Sequence, residues 1–368
     1  MLTDVHAHDP SLTRTMAAKL GDYHSFVRSR ERNLGKDGTP PDPVSTTETG
    51  ILKLATEVLL PGLRPQELVI LEQLCQLSRS EHANTPTDVG RLKAALNERF
   101  PQSYRNPTQI ASALRVLDGS YFTPTQARRF GGLPLINQME NGSIRLNPTF
   151  AGLIEEHSTF RNFFVDTLKT GLLNCQDALR DASAQDLQSG HGFLRGRQYT
   201  MAEVVRLLGW DHEVNGQSIG GYMVDRTTGT MPIFIKYANS QYQDQFLSDQ
   251  ILRWFSKNHR RPESREFQWM RQGLGQPGWQ ENHFIPLFVM RRQEAADRRY
   301  YYLGHVTEIG PSQTAEKPGP DGKGRVPVTI TNLGLDRPVD HELYRHLLDV
   351  QAQPSQQKRC TVSAENIM

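Results

Sequence analysis

The stretch GGYMVDRTTGTMPIFIKY, residues 220–237, decides the fold class of the C-terminal half. Its two ends, GGYMVD and MPIFIKY, hold β-branched and aromatic residues and flank the Gly-containing segment RTTGT, which is the pattern of a β-hairpin. Similar runs at 283–292, 298–309 and 326–333 predict further strands. The sequence therefore predicts a β-rich domain over residues 187–350.

The pattern upstream, over residues 51–186, is helical almost throughout. In LRPQELVILEQLCQL, residues 63–77, Leu and Ile recur at three- and four-residue spacing, as a buried helix face requires. Short helices followed by the Asn-Gly turn of ENGSIRLNP have the layout of a winged helix-turn-helix, in which the recognition helix enters the major groove. A helical bundle that touches no DNA has the same order of elements. On the winged-helix interpretation, the expected DNA contacts are Tyr104, Arg105, Asn106, Gln109 and Arg115.

The remaining segments complete the predicted organisation. Residues 1–50 are predicted to hold an N-terminal helix and a Pro/Gly-rich linker, and residues 351–368 a disordered tail. The Pro/Gly/Lys segment 311–324 is predicted as an inserted loop. The fold class is α+β: a helical, winged-helix-like N-terminal half and a C-terminal mixed β-sheet domain with flanking helices.

Composition excludes several classes of protein. The chain has 368 residues, a length that predicts at least two domains, and its formal charge is only +2. No apolar run approaches the ~20 residues that a membrane helix needs, and no secretory signal is recognisable, so a soluble cytoplasmic protein without membrane partners is expected. The three cysteines are widely separated, and no phosphate-binding loop, nucleophile elbow or CxxC occurs. Kinase, helicase, serine-hydrolase and zinc-finger functions therefore lack their motifs.

The near-neutral total conceals a local excess of positive charge. Residues 251–300 hold ten Lys/Arg against five Asp/Glu, and three tryptophans lie among them. Because phosphate neutralisation supplies most non-specific DNA affinity, this segment is a candidate DNA-binding face, with Lys257, Arg260 and Arg261 as contacts. The alternative is that the tryptophans belong to the core and the arginines form a solvated rim.

A possible metal motif opens the chain. Asp4-Val-His6-Ala-His8 is similar to the first strand of TatD-type amidohydrolases, which bind divalent metal. Those enzymes are eight-stranded β/α barrels, and residues 51–185 supply hardly a strand. A solvated N-terminal segment is the preferred interpretation.

Residues 207–261 carry a resemblance to a known domain. The motifs LGW, EVNGQ, IGGY, FIKY, QDQFLS and LRWFSK resemble the uncharacterised C-terminal domain of restriction proteins that join a phospholipase-D-type nuclease to a helicase. The hairpin is also similar, more weakly, to that of SRA domains, which read 5-methylcytosine. This resemblance implies either a PD-(D/E)xK-like or an SRA/PUA-like sheet.

The chain as a whole resembles the BisI family of modification-dependent restriction endonucleases. The shared features are the helical front half, this C-terminal domain and the dipeptide His305-Val306. The resemblance implies cleavage within GCNGC sites that carry 5-methylcytosine or 5-hydroxymethylcytosine, with His305-Val306 sensing a methyl group. An apolar Val contact with a cytosine methyl is physically reasonable. Without the resemblance, the dipeptide would be taken as the alternating face of a strand.

Hydrolysis of this kind implies Mg²⁺ held by carboxylates near a cation. The hairpin offers Asp225 and Lys236 on adjacent strands, the layout of a PD-(D/E)xK nuclease, although Phe234 stands where that motif has an acid. Asp244 or Asp249 would then complete the metal site, with Glu203 as a further candidate. In the alternative, a noncatalytic reader of methylated DNA, Asp225 is a turn acid and Lys236 contacts a phosphate.

The functional prediction is a Mg²⁺-dependent endonuclease acting on methylated double-stranded DNA. Asp225, Lys236 and Asp244 are its predicted catalytic residues. A near-palindromic site cut on both strands calls for two active sites, so a homodimer on DNA is expected.

Overall fold

The computed structural model describes most of both halves of the chain. The described residues are 2–9, 12–13, 15–17, 46–77, 86–101, 108–180, 182, 186, 191–237, 244–318 and 324–348. Tyr104, Arg105, Asn106 and the predicted tail, 351–368, lie outside them.

The first half is helical apart from one two-stranded wing. Its elements are α1 (Leu2–His8), α2 (Thr46–Leu54) with the π-helical segment Ala55–Leu59, α3 (Pro65–Leu77), α4 (Val89–Arg99), α5 (Thr108–Leu117), α6 (Pro124–Arg129), β1 (Ile136–Gln138), β2 (Ile144–Leu146), α7 (Pro148–Glu156) and α8 (Ser158–Arg180). Within this set, α3, α4, α5 and the β1–β2 hairpin follow the order of a winged helix. Thr87 adds a backbone bridge to Ile144 beside the wing.

Local sequence explains where several of these helices begin. Asp88 accepts the Gly90 N–H at 2.6 Å and so caps α4. Asn147 caps α7, and Pro148 stands at its first turn, where a missing N–H costs nothing. Short polar side chains before apolar repeats therefore set the helix boundaries here.

The second half is a curled mixed sheet with flanking helices. Its elements are β3 (Gln198–Tyr199), α9 (Met201–Leu207), α10 (Gly216–Ile219), β4 (Ile233–Tyr237), β5 (Gln245–Phe246), β6 (Ile251–Phe255), α11 (Arg265–Arg271), α12 (Trp279–Asn282), β7 (Pro286–Arg291), the 3₁₀ helix Arg292–Asp297, β8 (Tyr300–Ile309), β9 (Gln313–Pro318), β10 (Arg325–Leu335) and α13 (His341–Leu347). The α+β class predicted from the sequence is confirmed.

The main path of this sheet runs β4-β7-β8-β10-β6-β5, with β3 on β8 and β9 on β10. The β4–β7 pair is parallel, and the other described pairs are antiparallel. The two ends of the path approach each other, since the rings of Tyr237 on β4 and Phe246 on β5 lie 5.2 Å apart. Strand β9 occupies part of the segment predicted as an inserted loop, so that prediction was wrong for Gln313–Pro318.

Buried arginines join the two halves. Arg64, just before α3, is 2% exposed; its Nε donates to Glu67 at 2.8 Å, and its Nη1 donates to the Arg206 carbonyl on α9. In return, Arg206 Nη1 donates to the Val58 carbonyl at 2.6 Å. Arg64 and Arg206 thus each donate a hydrogen bond across the junction, while Nε and Nη2 of Arg206 have no partner among the described residues.

No helix in the described part of the chain has the length and apolarity needed to cross a bilayer.

Candidate DNA-binding groove

Asp225 closes a tight turn in the predicted hairpin. Its backbone pairs with that of Thr230 in both directions, at 2.8 and 3.0 Å. Its Oδ2 accepts the Thr228 N–H at 3.1 Å and the Thr228 hydroxyl at 2.6 Å. The Trp210 indole N–H donates to Thr230 Oγ1 at 2.8 Å and fixes the far side of the turn. The carboxylate therefore shapes residues 226–229, as Asx turns do.

Lys236 does not come close to Asp225. The hairpin register pairs Asp225 with Thr230 and Tyr222 with Ile233. Lys236 lies six residues beyond Thr230 along the same strand, a separation on the order of 20 Å at 3.3 Å per residue. It is exposed on β4, whose other four residues are buried. The hairpin exists as predicted, but its register separates the acid from the lysine.

The other predicted metal ligands are also apart and already engaged. Asp244 accepts the Phe255 N–H at 2.8 Å, and burial raises the pKa of its carboxyl to about 6. Glu203 caps its own helix through Thr200 and pairs with Arg299 at 3.1 Å. Among the described residues, no three His, Cys, Asp or Glu side chains gather in a way that could hold a metal ion. The set Asp225, Asp244 and Glu203 therefore does not fit Mg²⁺, and no hydrolytic step is derived from it.

The His305-Val306 pair lies on β8 and does not present an apolar contact to a base. Val306 is 0% exposed and belongs to the sheet core, so its methyl groups cannot touch DNA in this structure. The His305 ring lies 3.5 Å from the Asp336 carboxylate and 5.4 Å from the Phe284 ring centre. Burial lowers the pKa of His305, and Asp336 partly opposes that shift. Strand alternation explains the pair, as the alternative interpretation held.

Helix α5 is covered by its neighbours instead of facing solvent. Gln109 is buried and accepts from Gln66 at 2.8 Å, while Arg115 pairs with Asp211 at 3.2 Å. From residue 109 to 117, Ala111 is the one exposed position. A recognition helix must expose several polar side chains to base edges. Gln109 is buried away from any DNA in this structure, whereas Arg115 is partly exposed and its DNA contact stays a prediction.

The basic segment places its tryptophans in the core, as the alternative held. Trp254, Trp269 and Trp279 are 2%, 8% and 6% exposed. Of the predicted cations, Lys257 lies 4.6 Å above the Tyr222 ring. Arg260 pairs with Glu266 at 2.6 Å, and Arg261 is exposed.

The N-terminal histidines are accounted for by hydrogen bonds. His6 is 4% exposed, with Nε2 at 2.8 Å from Asp177 and Nδ1 at 3.3 Å from Thr13. His8 Nδ1 lies 2.8 Å from the Asp4 carbonyl. Neither ring is arranged as a metal ligand.

The structure shows a polar groove beside the Asp225 turn. Two adjoining depressions of about 640 and 650 Å³ share Arg226, Trp269 and Gln272. One wall is the turn 226–229, and the other is α11 with the loop that follows it. The remaining lining residues are Thr227, Thr228, Gly229, Pro262, Arg265, Gln268, Arg271, Gly273, Gln276, Glu281, Asn282 and His283. We call this depression the Arg226 groove.

Aromatic stacking holds the inner side of the Arg226 groove. His283 is 8% exposed and stacks on Trp279 with ring centres 5.2 Å apart and planes 6° apart. Its Nδ1 donates to the Trp279 carbonyl at 2.9 Å, which leaves Nε2 as an acceptor without a partner among the described residues. Gly229 has φ +65°, and a Cβ there would meet the Asn282 carbonyl oxygen at 2.7 Å. Only glycine allows the turn to approach this wall.

Sequence reasoning missed the lining side chains of this groove. The sequence identifies Arg226 only as part of the turn segment RTTGT, and Arg265 only as one of the ten cations in residues 251–300. The available signal was the spacing of Arg265 and Gln268, which places two polar residues on one face of a helix, with Gln272 just beyond its end.

Comparison with protein families finds two matches along the chain. Residues 193–347 match the model of DUF3427, a domain of unknown function. That domain occurs in some restriction-related helicase-like proteins. Residues 3–178 match a second domain of unknown function, DUF8090. No curated protein matches the chain. The Arg226 groove lies entirely within the DUF3427 match.

Proposed function

We propose that this protein binds double-stranded DNA carrying 5-methylcytosine or 5-hydroxymethylcytosine within GCNGC-type sites, as part of a restriction system. The observation that carries the proposal is the Arg226 groove, an arginine-lined depression in a DUF3427 domain. The modified base and the site come from the resemblance to the BisI family.

The side chains of the groove suit a nucleic acid better than a small apolar ligand. Arg226, Arg265 and Arg271 supply positive charge, against Glu281 among the lining residues. Threonine hydroxyls and side-chain amides complete the lining, and these groups make most contacts to phosphates and base edges. A local basic face also explains how a chain of net charge +2 binds DNA.

Mg²⁺-dependent cleavage by a homodimer is the second candidate function. The resemblance to BisI endonucleases, which extends over the whole chain, favours it. Because Asp225, Asp244 and Glu203 are engaged elsewhere, the catalytic acids would have to come from other residues. Binding and cleavage are therefore separate proposals.

One plasmid experiment separates the two. Methylated and unmethylated plasmids are incubated with the protein, with either Mg²⁺ or EDTA, and each sample is analysed for retardation and for nicking. Retardation of the methylated plasmid in EDTA supports the binding proposal. Nicking that requires Mg²⁺ supports the cleavage proposal as well. Equal retardation of both plasmids, or none, contradicts the methyl-reading proposal.

A matched pair of variants ties the result to the groove. Arg226→Ala with Arg265→Ala is expected to weaken retardation, because both side chains line the groove. Arg292→Ala removes a charge from an exposed position outside the groove and is expected to bind as the wild type does.

A further inference from the structure

Helix α11 presents one polar face and one apolar face. Phe267 and Met270 are 0% exposed and pack into the sheet core. Arg265 and Gln268 are exposed, and Gln272, directly after the helix, is exposed too. A spacing of three residues puts Arg265 and Gln268 on one face of α11, and Gln272 at its C-terminal end lines the same groove, so these side chains form a polar row along the Arg226 groove.

Both ends of α11 are held firmly by neighbouring elements. Near its start, Glu266 lies 3.2 Å from the Tyr222 hydroxyl and pairs with Arg260 at 2.6 Å. At its end, Arg271 donates to Ser312 Oγ at 2.8 Å. A recognition surface needs such support, because a loosely held side chain loses conformational entropy on binding.

The side chains of the polar row, together with Arg226, are free to contact a ligand. Within the described residues, no hydrogen bond or ion pair engages the side chains of Arg226, Arg265, Gln268 or Gln272, and all four are exposed. These types are the ones that recognise base pairs: Gln offers a donor and an acceptor together, and Arg pairs with guanine O6 and N7. An arginine beside threonine hydroxyls on a turn is typical of a phosphate contact.

We propose that Arg265, Gln268 and Gln272 read base edges in the major groove of duplex DNA, while Arg226 on the facing turn holds a backbone phosphate. This inference rests on the proposed function and names the surface that performs it. An α-helix is about 10–12 Å across with its side chains, and the major groove, about 12 Å wide, accepts it. Asp225 contributes indirectly, because its carboxylate shapes the turn that carries Arg226.

The test separates base contacts from phosphate contacts. Affinities are measured by fluorescence anisotropy for a methylated GCNGC duplex and for duplexes with one base pair changed, each at several salt concentrations. Gln268→Ala and Gln272→Ala are expected to reduce discrimination between these duplexes about tenfold without changing the salt dependence. Arg226→Ala is expected to weaken binding to every duplex alike and to lower the slope of log K against log salt by about 1.

Gln280→Ala is the matched control, since Gln280 is exposed on α12 and does not line the groove. Unchanged discrimination in both Gln variants, with the wild type still preferring methylated DNA, overturns the inference and leaves the proposed function standing. A wild type that binds methylated and unmethylated duplexes equally overturns the proposed function. If the wild type does not distinguish methylated DNA but the Gln variants lose discrimination between base pairs, the base-reading role of these residues is supported without a role in reading methylation.

Discussion

Replacing Asp225 by Asn and by Ala distinguishes a turn residue from a metal ligand. The carboxylate accepts two hydrogen bonds from Thr228, at 3.1 and 2.6 Å, and both reach the same oxygen. Hydrogen bonds to a charged acceptor contribute about 1.5–3 kcal/mol each when buried, and this side chain is half-buried. We therefore expect Asp225→Ala to lower the free energy of unfolding by about 2–4 kcal/mol.

The Asn variant keeps the acceptor oxygen and loses only the charge. Asp225→Asn is expected to cost about 1 kcal/mol and to retain DNA binding, because its side-chain oxygen accepts from the same N–H and hydroxyl groups. A metal-binding carboxylate behaves differently, since an amide oxygen is a weaker ligand for Mg²⁺. For that role, Asp225→Asn would abolish Mg²⁺-dependent cleavage and leave stability unchanged.

Urea unfolding followed by tryptophan fluorescence measures the stability of both variants, and anisotropy measures their DNA affinity. Thr228→Val provides an independent check, because it removes one of the two donors and should cost about 1 kcal/mol. Thr227→Ala, at the neighbouring exposed position, is the control for stability and should leave the free energy of unfolding unchanged. Equal destabilisation by Asn and Ala, or none by either, would refute the assignment of Asp225 to the turn.

Three further changes test other parts of the structure. Burial raises the pKa of Asp244 to about 6, so the stability of the wild type falls as the pH rises from about 4 to 6. Asp244→Asn removes the charge and should therefore stabilise the protein by up to about 3 kcal/mol at pH 7 and by nothing below about pH 4. Urea denaturation at a series of pH values from 4 to 8 measures this difference. Val306→Ala should lower the free energy of unfolding, measured in urea, by about 2 kcal/mol, because Val306 is buried in the sheet core. It should leave the ratio of affinities for methylated and unmethylated DNA unchanged, whereas the same substitution at a methyl-sensing valine would alter that ratio. Glu67→Gln should cost about 3 kcal/mol because it leaves Arg64 buried without its carboxylate, and a loss below 1 kcal/mol would contradict that pairing.

Periodicity in the sequence predicted the type of most elements, because burial imposes it. The 3.6-residue repeat of α3 and the hairpin around residues 226–229 both appear in the structure. The prediction missed β9, because its sequence QTAEKP lacks the alternation of apolar and polar residues that marks a half-buried strand. That strand is defined by its backbone pairing with β10, which depends on a partner distant in sequence.

The site was harder to predict because register and burial decide it. The residue types of Asp225 and Lys236 suggested a nuclease, yet a turn of four residues places Lys236 far along the strand. The His305-Val306 pair had the right chemistry for a methyl contact, but β8 lies inside the sheet and turns Val306 inward. Gln109 likewise lies on a helix face that other helices cover. Each case depended on tertiary neighbours that a local pattern does not specify.

The central proposal is that this protein binds modified DNA and that the Arg226 groove is its DNA-binding surface. Its most direct test is the affinity of the full chain, by anisotropy in EDTA, for identical GCNGC duplexes carrying cytosine, 5-methylcytosine or 5-hydroxymethylcytosine. We predict at least about tenfold tighter binding of the two modified duplexes, a preference of about 1.4 kcal/mol, and weaker binding of all three duplexes by Arg226→Ala with Arg265→Ala but not by Arg292→Ala. Equal affinity of the wild type for all three duplexes, or wild-type affinity in the variant that lacks both groove arginines, would contradict it.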